Sequence, residues 1–159
     1  MGKIIIMYKK KVIRWCLLVA WMIFIFLMSN TPGNESSDQS QFVVNLFAYL
    51  GVDLNSSFGD LATFVVRKGA HFTEYFILFI LLSRVSSIYN NKRYNKITLI
   101  AIVFLYACTD EIHQYFIPER AARFTDVMID TSGGIFAGII TLIRANTGKK
   151  YKTKAHYQE

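Results

Sequence analysis

Cysteine pairs and internal repeats are missing from this chain. Its 159 residues include only two cysteines, Cys16 and Cys108, which are too far apart for a C-x-x-C motif. A thiol inside an apolar segment is more typical of a small packing residue than of a redox centre. No internal repeat is long enough to indicate duplication. These absences argue against C-x-x-C redox chemistry and against a repeat architecture.

Apolar residues, in contrast, are abundant and come in blocks. The chain is 53% hydrophobic, with a mean hydropathy of +0.30. A membrane-spanning helix needs about 20 mostly apolar residues, and four segments approach that length: residues 12–28, 61–82, 97–116 and 127–143. The first has no A-x-A-like cleavage site after it, which favours a retained anchor over a signal peptide. The sequence predicts an all-α bundle of four transmembrane helices.

Lysine and arginine are absent from residues 29–60, whose only charges are acidic. Groups of five, four and five basic residues instead lie before or at the start of the first segment, between the second and third, and after the fourth, together 14 of the 18. The positive-inside rule then predicts cytoplasmic N and C termini, with residues 29–60 and 117–125 outside. Within the first outer loop, the apolar residues 42–50 predict a short interfacial helix.

The net charge of +7 is explained by this topology, because basic segments beside helix ends favour anionic lipid of the inner leaflet. No nucleic-acid-binding motif accompanies the charge, so no nucleic-acid partner is expected. Residues 1–148 are predicted to form one membrane domain. Residues 149–159 are predicted to form a basic cytoplasmic tail, whose polar composition indicates disorder.

Polar and ionisable residues form helical stripes within, or at the start of, the last three apolar segments. The stripes are Arg67, His71 and Glu74; Asp110, His113 and Gln114; and Asp126 and Asp130. At 1.5 Å per residue, His71, Asp110 and Asp130 lie at similar depths, about 17 to 20 Å from the cytoplasmic helix ends. Because charges facing lipid are costly, the stripes are predicted to meet in an internal cleft open to the outside. Glu111 points about 100° away from Asp110 and is expected at the aqueous rim.

The same residues resemble the VanZ-like family of bacterial membrane proteins. The resemblance rests on the blocks RKGAHFTEY (67–75), YACTDEIHQ (106–114), PER (118–120) with Arg123, and DVMIDTSGG (126–134). It implies a multi-pass protein of the bacterial cell membrane with its site facing outward. The founding member is associated with lowered susceptibility to the glycopeptide teicoplanin, so the resemblance implies a cell-envelope context, and antibiotic resistance, rather than a particular reaction.

Binding of an anionic headgroup is the first functional hypothesis. The ligand-binding candidates are Arg67, Lys68, Gln114, Arg120 and Arg123. Guanidinium groups bind phosphate oxygens bidentately, and lysine acts as a point charge. Membrane lipid is therefore the expected partner, and the pyrophosphate of a polyprenyl-linked cell-wall precursor is one candidate ligand.

Catalysis is the second hypothesis, as a transferase or hydrolase acting on lipid or cell-wall material. The candidate catalytic residues are Arg67, His71, Glu74, Asp110, His113, Asp126 and Asp130. A divalent metal ion is the one cofactor that these residue types suggest, with His71, Glu74, Asp110, His113 and Asp130 as candidate ligands. No H-E-x-x-H motif supports this assignment.

A structural role is the third hypothesis. Here the buried groups only satisfy one another, with Arg67 paired to Asp126 or Asp130 and His71 bonded to Asp110. A homodimer is an arrangement that the sequence leaves open, since four helices around one polar cleft form a thin bundle.

Overall fold

The computed structural model describes residues 2–89 and 95–156, and all regular secondary structure in these residues is helical. The α-helices are α1 (Gly2–Ser29), α2 (Gly33–Tyr49), α3 (Leu54–Phe58), α4 (Ala62–Ser86), α5 (Lys96–Gln114) and α6 (Phe124–His156). Short 3₁₀ turns, Gly59–Leu61 and Ser87–Tyr89, flank α4. Lys92 and Arg93 of the topology argument and residues 157–159 of the predicted tail lie outside the described residues.

Four helical segments are long and apolar enough to cross a membrane: Ile5–Ser29, Leu54–Tyr89, Lys96–Gln114 and Phe124–Ala145. They contain or closely follow the four segments expected from hydropathy, so the prediction of an all-α protein with four spanning helices is confirmed. Helix α6 continues past this apolar part to His156. The division at residue 148 and the cytoplasmic location of the termini stay predictions.

Helix α4 occupies the centre of the bundle and contacts α1, α2, α5 and α6. Its residues Tyr75, Leu78 and Phe79 are fully buried in a core that also includes Val103 of α5 and Ala137 of α6. Large apolar side chains on the outer faces are exposed, for example Leu105, Ile112 and Ile143. An apolar exterior of this kind is expected where lipid is the solvent.

Glycines bring α6 against its neighbours, as their presence in the fourth segment suggests. A Cβ at Gly133 would overlap the backbone carbonyl oxygen of Phe72 in α4, and one at Gly134 would lie 2.8 Å from Cγ1 of Val103 in α5. Small residues permit such close approach between membrane helices, where packing rather than hydrophobic burial drives association. The close approach holds the polar stripes of α4, α5 and α6 together.

Helix α2 is longer than the predicted segment 42–50, since it begins at Gly33. Its buried face consists of Gly33, Ser36, Ser40 and Val44, which recur at helical spacing. The Ser40 hydroxyl donates to the Ser36 carbonyl at 2.9 Å, so a polar residue is accommodated on the buried face. This helix packs beside α4 and forms one wall of the site.

The loop after α5 closes the corner between α1 and α2. The amide of Gly33 donates to the Pro118 carbonyl at 3.1 Å, and the amide of Asn34 donates to the Glu119 carboxylate at 3.1 Å. A Cβ at Gly33 would overlap the carbonyl oxygen of Glu119, so only glycine fits there. Free amides at a helix start need acceptors, and this loop supplies them.

Candidate functional site

The polar stripe of α4 lines a cavity between α4, α2 and the end of α1. Arg67, His71 and Glu74 contribute to its wall, as the helical spacing predicts. Ser36, Gln39 and Ser40 of α2 and Met28 and Ser29 of α1 complete most of the lining. The volume is about 140 Å³, which is too small for a whole lipid but sufficient for a small polar group.

A second cavity of about 140 Å³ lies on the other side of the same stripe. Its polar lining includes Lys68, Gln114, Glu119, Arg123 and Asp126. Arg67, His71 and Arg120 line both cavities. The structure therefore brings all the ligand-binding candidates to the same pair of cavities, at the end of the bundle where α1 and α5 end and α6 begins.

Arg67 is the exceptional cation of this region. Within residues 2–89 and 95–156 its guanidinium makes no hydrogen bond and no ion pair, although the side chain is half-buried. Lys68, in contrast, contacts the Asp126 carboxylate at 2.6 Å, with both side chains about six-sevenths buried (15% and 14% exposed). The ion pair with Asp126 is thus made by Lys68, and the expected pairing of Arg67 with Asp126 or Asp130 is wrong.

Asp110 is the centre of a buried hydrogen-bond network. Its Oδ2 atom accepts from the Ser29 hydroxyl at 2.7 Å and from Nε2 of Gln114 at 3.1 Å. Nε2 of Gln114 also donates to Ser29 at 2.7 Å. All three residues are less than 6% exposed. The network fixes one carboxylate oxygen of Asp110 and joins the ends of α1 and α5.

Arg120 extends this network to the end of α1. Its guanidinium donates to Oε1 of Gln114 at 3.3 Å and to the carbonyls of Thr31 and Met28 at 3.0 and 3.4 Å. Burial and the neighbouring Arg67 lower the pKa of Arg120, but an arginine, whose ordinary pKa is above about 12, stays charged at neutral pH. Arg120 therefore places a permanent positive charge between the two cavities while it caps a helix.

Asp130 of α6 is fully buried. Among the described residues, neither of its carboxylate oxygens has a hydrogen-bond partner. Nδ1 of His71 lies 3.5 Å from Oδ1 of Asp130 and is itself without a hydrogen bond. His71 is thus placed next to Asp130, and its expected hydrogen bond to Asp110 is not found among the described residues. His71, Asp110 and Asp130 each offer a ligand atom within 4.8 Å of the other two.

The surroundings of three residues could not be predicted from helical spacing: Glu111, His113 and Glu74. Glu111 is only 4% exposed, because the loop after α5 folds back and the Arg123 amide donates to Oε2 of Glu111 at 2.8 Å. The expectation that Glu111 faces the aqueous rim is therefore wrong. His113 stacks on Phe26 of α1, with ring centroids 4.6 Å apart, and is not a member of the His71 cluster. Glu74 lines the first cavity but is also outside that cluster.

Ser29, Tyr75 and the serines of α2 are site residues that sequence reasoning missed. Ser29 is the first residue with a hydroxyl group after the long apolar run of α1, and this position could have indicated a role in the site. Tyr75 directly follows Glu74, is fully buried, and has no hydrogen-bond partner for its hydroxyl among the described residues. The serines of α2 carry no such signal, because serine is common on exposed helix faces.

The fold and the site together define a class of protein, an all-α membrane protein with four spanning helices and a polar site at one end of the bundle. The VanZ/LLP1 family model matches residues 14–145, which is most of the chain. The chain therefore belongs to the VanZ-like family, as its motifs indicate. Comparisons with curated proteins and with solved structures found no match.

Proposed function

We propose that the two cavities bind the anionic headgroup of a membrane lipid, and that a lipid-linked cell-wall precursor in the outer leaflet is the natural ligand. The main support for this proposal is the environment of Arg67. Its half-buried guanidinium lines both cavities and has no anionic partner among the described residues. A buried cation without a counter-charge is costly. A bound phosphate or pyrophosphate supplies that charge.

The size of the cavities supports a headgroup rather than a larger ligand. Pockets for drug-sized molecules are about 300 Å³ or more, whereas each cavity here has about 140 Å³. The lipid chain would stay in the bilayer against the exposed apolar surface, where Phe64 lines the second cavity and is 41% exposed. Arg120 and Arg123 stand at the same cavity and are suited to the remaining phosphate oxygens.

Under this proposal, the protein lowers teicoplanin susceptibility by engaging a precursor at the membrane surface. Support comes from the family to which the chain belongs and from the location of the cationic site at one end of the spanning helices. An outward orientation of that end is part of the proposal. The positive-inside distribution of the other 14 basic residues supports it.

Lipid retention by purified protein tests the binding step. Protein is incorporated into nanodiscs that contain phosphatidylcholine and a small fraction of polyprenyl pyrophosphate, and retained lipid is measured after delipidation in detergent. Arg67→Gln should weaken retention of the pyrophosphate lipid about tenfold or more, since a charge-assisted hydrogen bond contributes about 1.5–3 kcal/mol. Arg144→Gln is the matched control, because Arg144 is exposed near the other end of α6.

Equal retention by Arg67→Gln and the wild-type protein would overturn the binding proposal. In nanodiscs that contain phosphatidylglycerol as well, retention of phosphatidylglycerol in place of the polyprenyl lipid would support headgroup binding but reject the precursor as the ligand. In a host whose teicoplanin susceptibility responds to this protein, Arg67→Gln should abolish the response at unchanged membrane abundance, while Arg144→Gln should preserve it.

A membrane-embedded transferase or hydrolase is the second candidate function. The observation in its favour is that His71, Asp110 and Asp130 lie together, with His71 lining both cavities. Carboxylates and imidazoles that border a ligand cavity are the usual general acids and bases. Release of phosphate from polyprenyl pyrophosphate by the wild-type protein, and not by Asp130→Asn, would favour this function over binding alone.

A further inference from the structure

The fully buried carboxylate of Asp130 needs a counter-charge that the described part of the chain does not provide. Neither oxygen accepts a hydrogen bond there, and the nearest cation-capable group, Nδ1 of His71 at 3.5 Å, is too far for a good hydrogen bond. An isolated carboxylate in a low-dielectric interior is strongly destabilising. The charge must therefore be neutralised either by a bound cation or by a proton.

The neighbours of Asp130 are metal-ligand types that converge from three helices. His71 of α4, Asp110 of α5 and Asp130 of α6 each offer one ligand atom, and these atoms lie within 4.8 Å of one another. Metal–ligand bonds of about 2.0–2.2 Å put the ligand atoms of a tetrahedral zinc site about 3.3 Å apart. Nδ1 of His71 and Oδ1 of Asp130, 3.5 Å apart, already have about that spacing. An inward shift of at most about 1.5 Å would bring the ligand atom of Asp110 to it.

The surroundings of Asp110 match those of a ligating carboxylate. Both of its hydrogen bonds, from Ser29 and Gln114, go to Oδ2, and no hydrogen bond to Oδ1 is found within the described residues. Hydrogen-bonded partners of this kind orient metal ligands and are part of most metal sites. Arg120 in turn holds Gln114. The carboxylate of Asp110 is thus oriented by hydrogen bonds to Oδ2, and its Oδ1 atom is left available to a metal ion.

We propose that His71, Asp110 and Asp130 form a binding site for one divalent cation of the zinc or manganese class. Two carboxylates balance the two positive charges of the ion, which removes the need for a buried unpaired charge. An imidazole ligand favours zinc or manganese over magnesium, which prefers oxygen ligands only. His71 lines both cavities, so under this proposal the ion would lie next to them.

The site goes beyond headgroup binding and does not depend on it, because Arg67, Lys68 and Arg123 take no part in the cluster. The site also contains only three of the five metal ligands that the sequence suggests. Glu74 and His113 are excluded from the cluster, since only His71, Asp110 and Asp130 come together among the described residues.

Metal analysis of the full-length protein in detergent tests this site. Protein stripped with EDTA is equilibrated separately with zinc, manganese and magnesium chloride, and bound metal is measured after removal of free ions. The wild-type protein should hold about one zinc or manganese ion per chain and unfold at a higher temperature when it is bound. Asp130→Asn and His71→Ala should lose both effects, while Asp60→Asn, which removes an exposed acidic residue outside the site, should keep them.

Titration with cobalt chloride gives a second measurement that does not depend on stability. Visible d–d bands should appear in the wild-type protein and in Asp60→Asn, and should be absent from Asp130→Asn, whose side chain keeps its size and lacks the charge. Monodisperse Asp130→Asn that binds metal as the wild-type protein does would overturn the site. A wild-type protein that binds no divalent ion would also overturn it, and would assign a proton to Asp130 instead.

Lipid retention measured on the same preparations separates this proposal from headgroup binding. EDTA-treated protein that still retains pyrophosphate lipid but takes up no metal rejects the ion site alone. Protein that takes up about one metal ion per chain but retains no lipid rejects headgroup binding alone.

Discussion

Gly133 of α6 packs so closely against Phe72 of α4 that a Cβ at this position would overlap the backbone carbonyl oxygen of Phe72. The obstacle is main chain rather than a flexible side chain, so it cannot rotate away. The two helices must separate if any other residue stands at this position, and Asp130, which lies one helical turn from Gly133, would move with α6.

Gly133→Ala should therefore destabilise the protein, by about 1–3 kcal/mol as overpacking substitutions do. Gly69→Ala is the matched control, because a Cβ at Gly69 meets nothing within 4 Å and alanine favours a helix by about 1 kcal/mol over glycine. Thermal unfolding in detergent measures both variants. Equal unfolding temperatures for the two would show that α4 and α6 are not as close as described.

Ser29→Ala should weaken the end of the bundle at which α1 meets α5. The substitution removes one of the two donors to Asp110, and leaving a buried acceptor short of a partner costs about 1–3 kcal/mol. Ser132→Ala is the control, since the exposed Ser132 hydroxyl bonds only to the Ile129 carbonyl of its own helix. A loss of unfolding temperature in Ser132→Ala as large as that in Ser29→Ala would contradict the network.

The Lys68–Asp126 ion pair, with its two side chains 15% and 14% exposed, should behave as a structural pair in a double-mutant cycle. Lys68→Gln and Asp126→Asn should each lower membrane abundance, because each leaves one partly buried charge without its partner. The double variant should recover abundance. Quantitative blotting of membranes measures this, and additive losses in the double variant would show that the two residues act separately.

Neutralisation of Arg67 should not lower membrane abundance, because Arg67 has no charged partner among the described residues that would be left unpaired. Arg67→Gln should keep abundance near the wild-type level. This contrast distinguishes a purely structural role of the buried charges, which predicts that every single neutralisation lowers abundance, from a binding site.

Cysteine labelling in intact cells tests the orientation. In a protein without Cys16 and Cys108, a cysteine at Ser56, which is exposed between α2 and α4, should react with an impermeant maleimide. A cysteine at the exposed Thr147 should react only after permeabilisation, because the positive-inside rule places this end of α6 in the cytoplasm. The reverse pattern would place the site on the cytoplasmic side.

The spanning helices and the shared face of Arg67, His71 and Glu74 could be predicted because hydropathy and helical spacing are local properties of the sequence. The partners of these side chains on other helices could not be predicted. Arg67 and Lys68 are neighbours with long side chains, and only the approach of α6 determines that Lys68 meets Asp126. Spacing fixes the direction of a side chain on its own helix but not what stands opposite.

Glu111 and α2 show a second limit of sequence reasoning. The burial of Glu111 results from a loop that folds back over α5, which no periodicity records. Helix α2 was expected only over its apolar second half, because the buried Ser36 and Ser40 look like exposed residues in a hydropathy profile. A serine whose hydroxyl bonds to its own helix can be buried at low cost, and sequence alone does not reveal when this happens.

The contacts of residues 118–120 with the α1–α2 corner have a consequence for biosynthesis. The carbonyls at the end of α1 and the amides at the start of α2 receive their partners from Pro118, Glu119 and Arg120, which are translated some 85 to 90 residues later. In a nascent chain that has inserted α1 and α4 but has not reached Arg120, the carbonyls at the end of α1 and the amides at the start of α2 thus lack these partners, close to the unpaired charge of Arg67. Synthesis of the third spanning helix and its following loop is therefore the step at which this corner obtains its hydrogen-bond partners, before α6 is added.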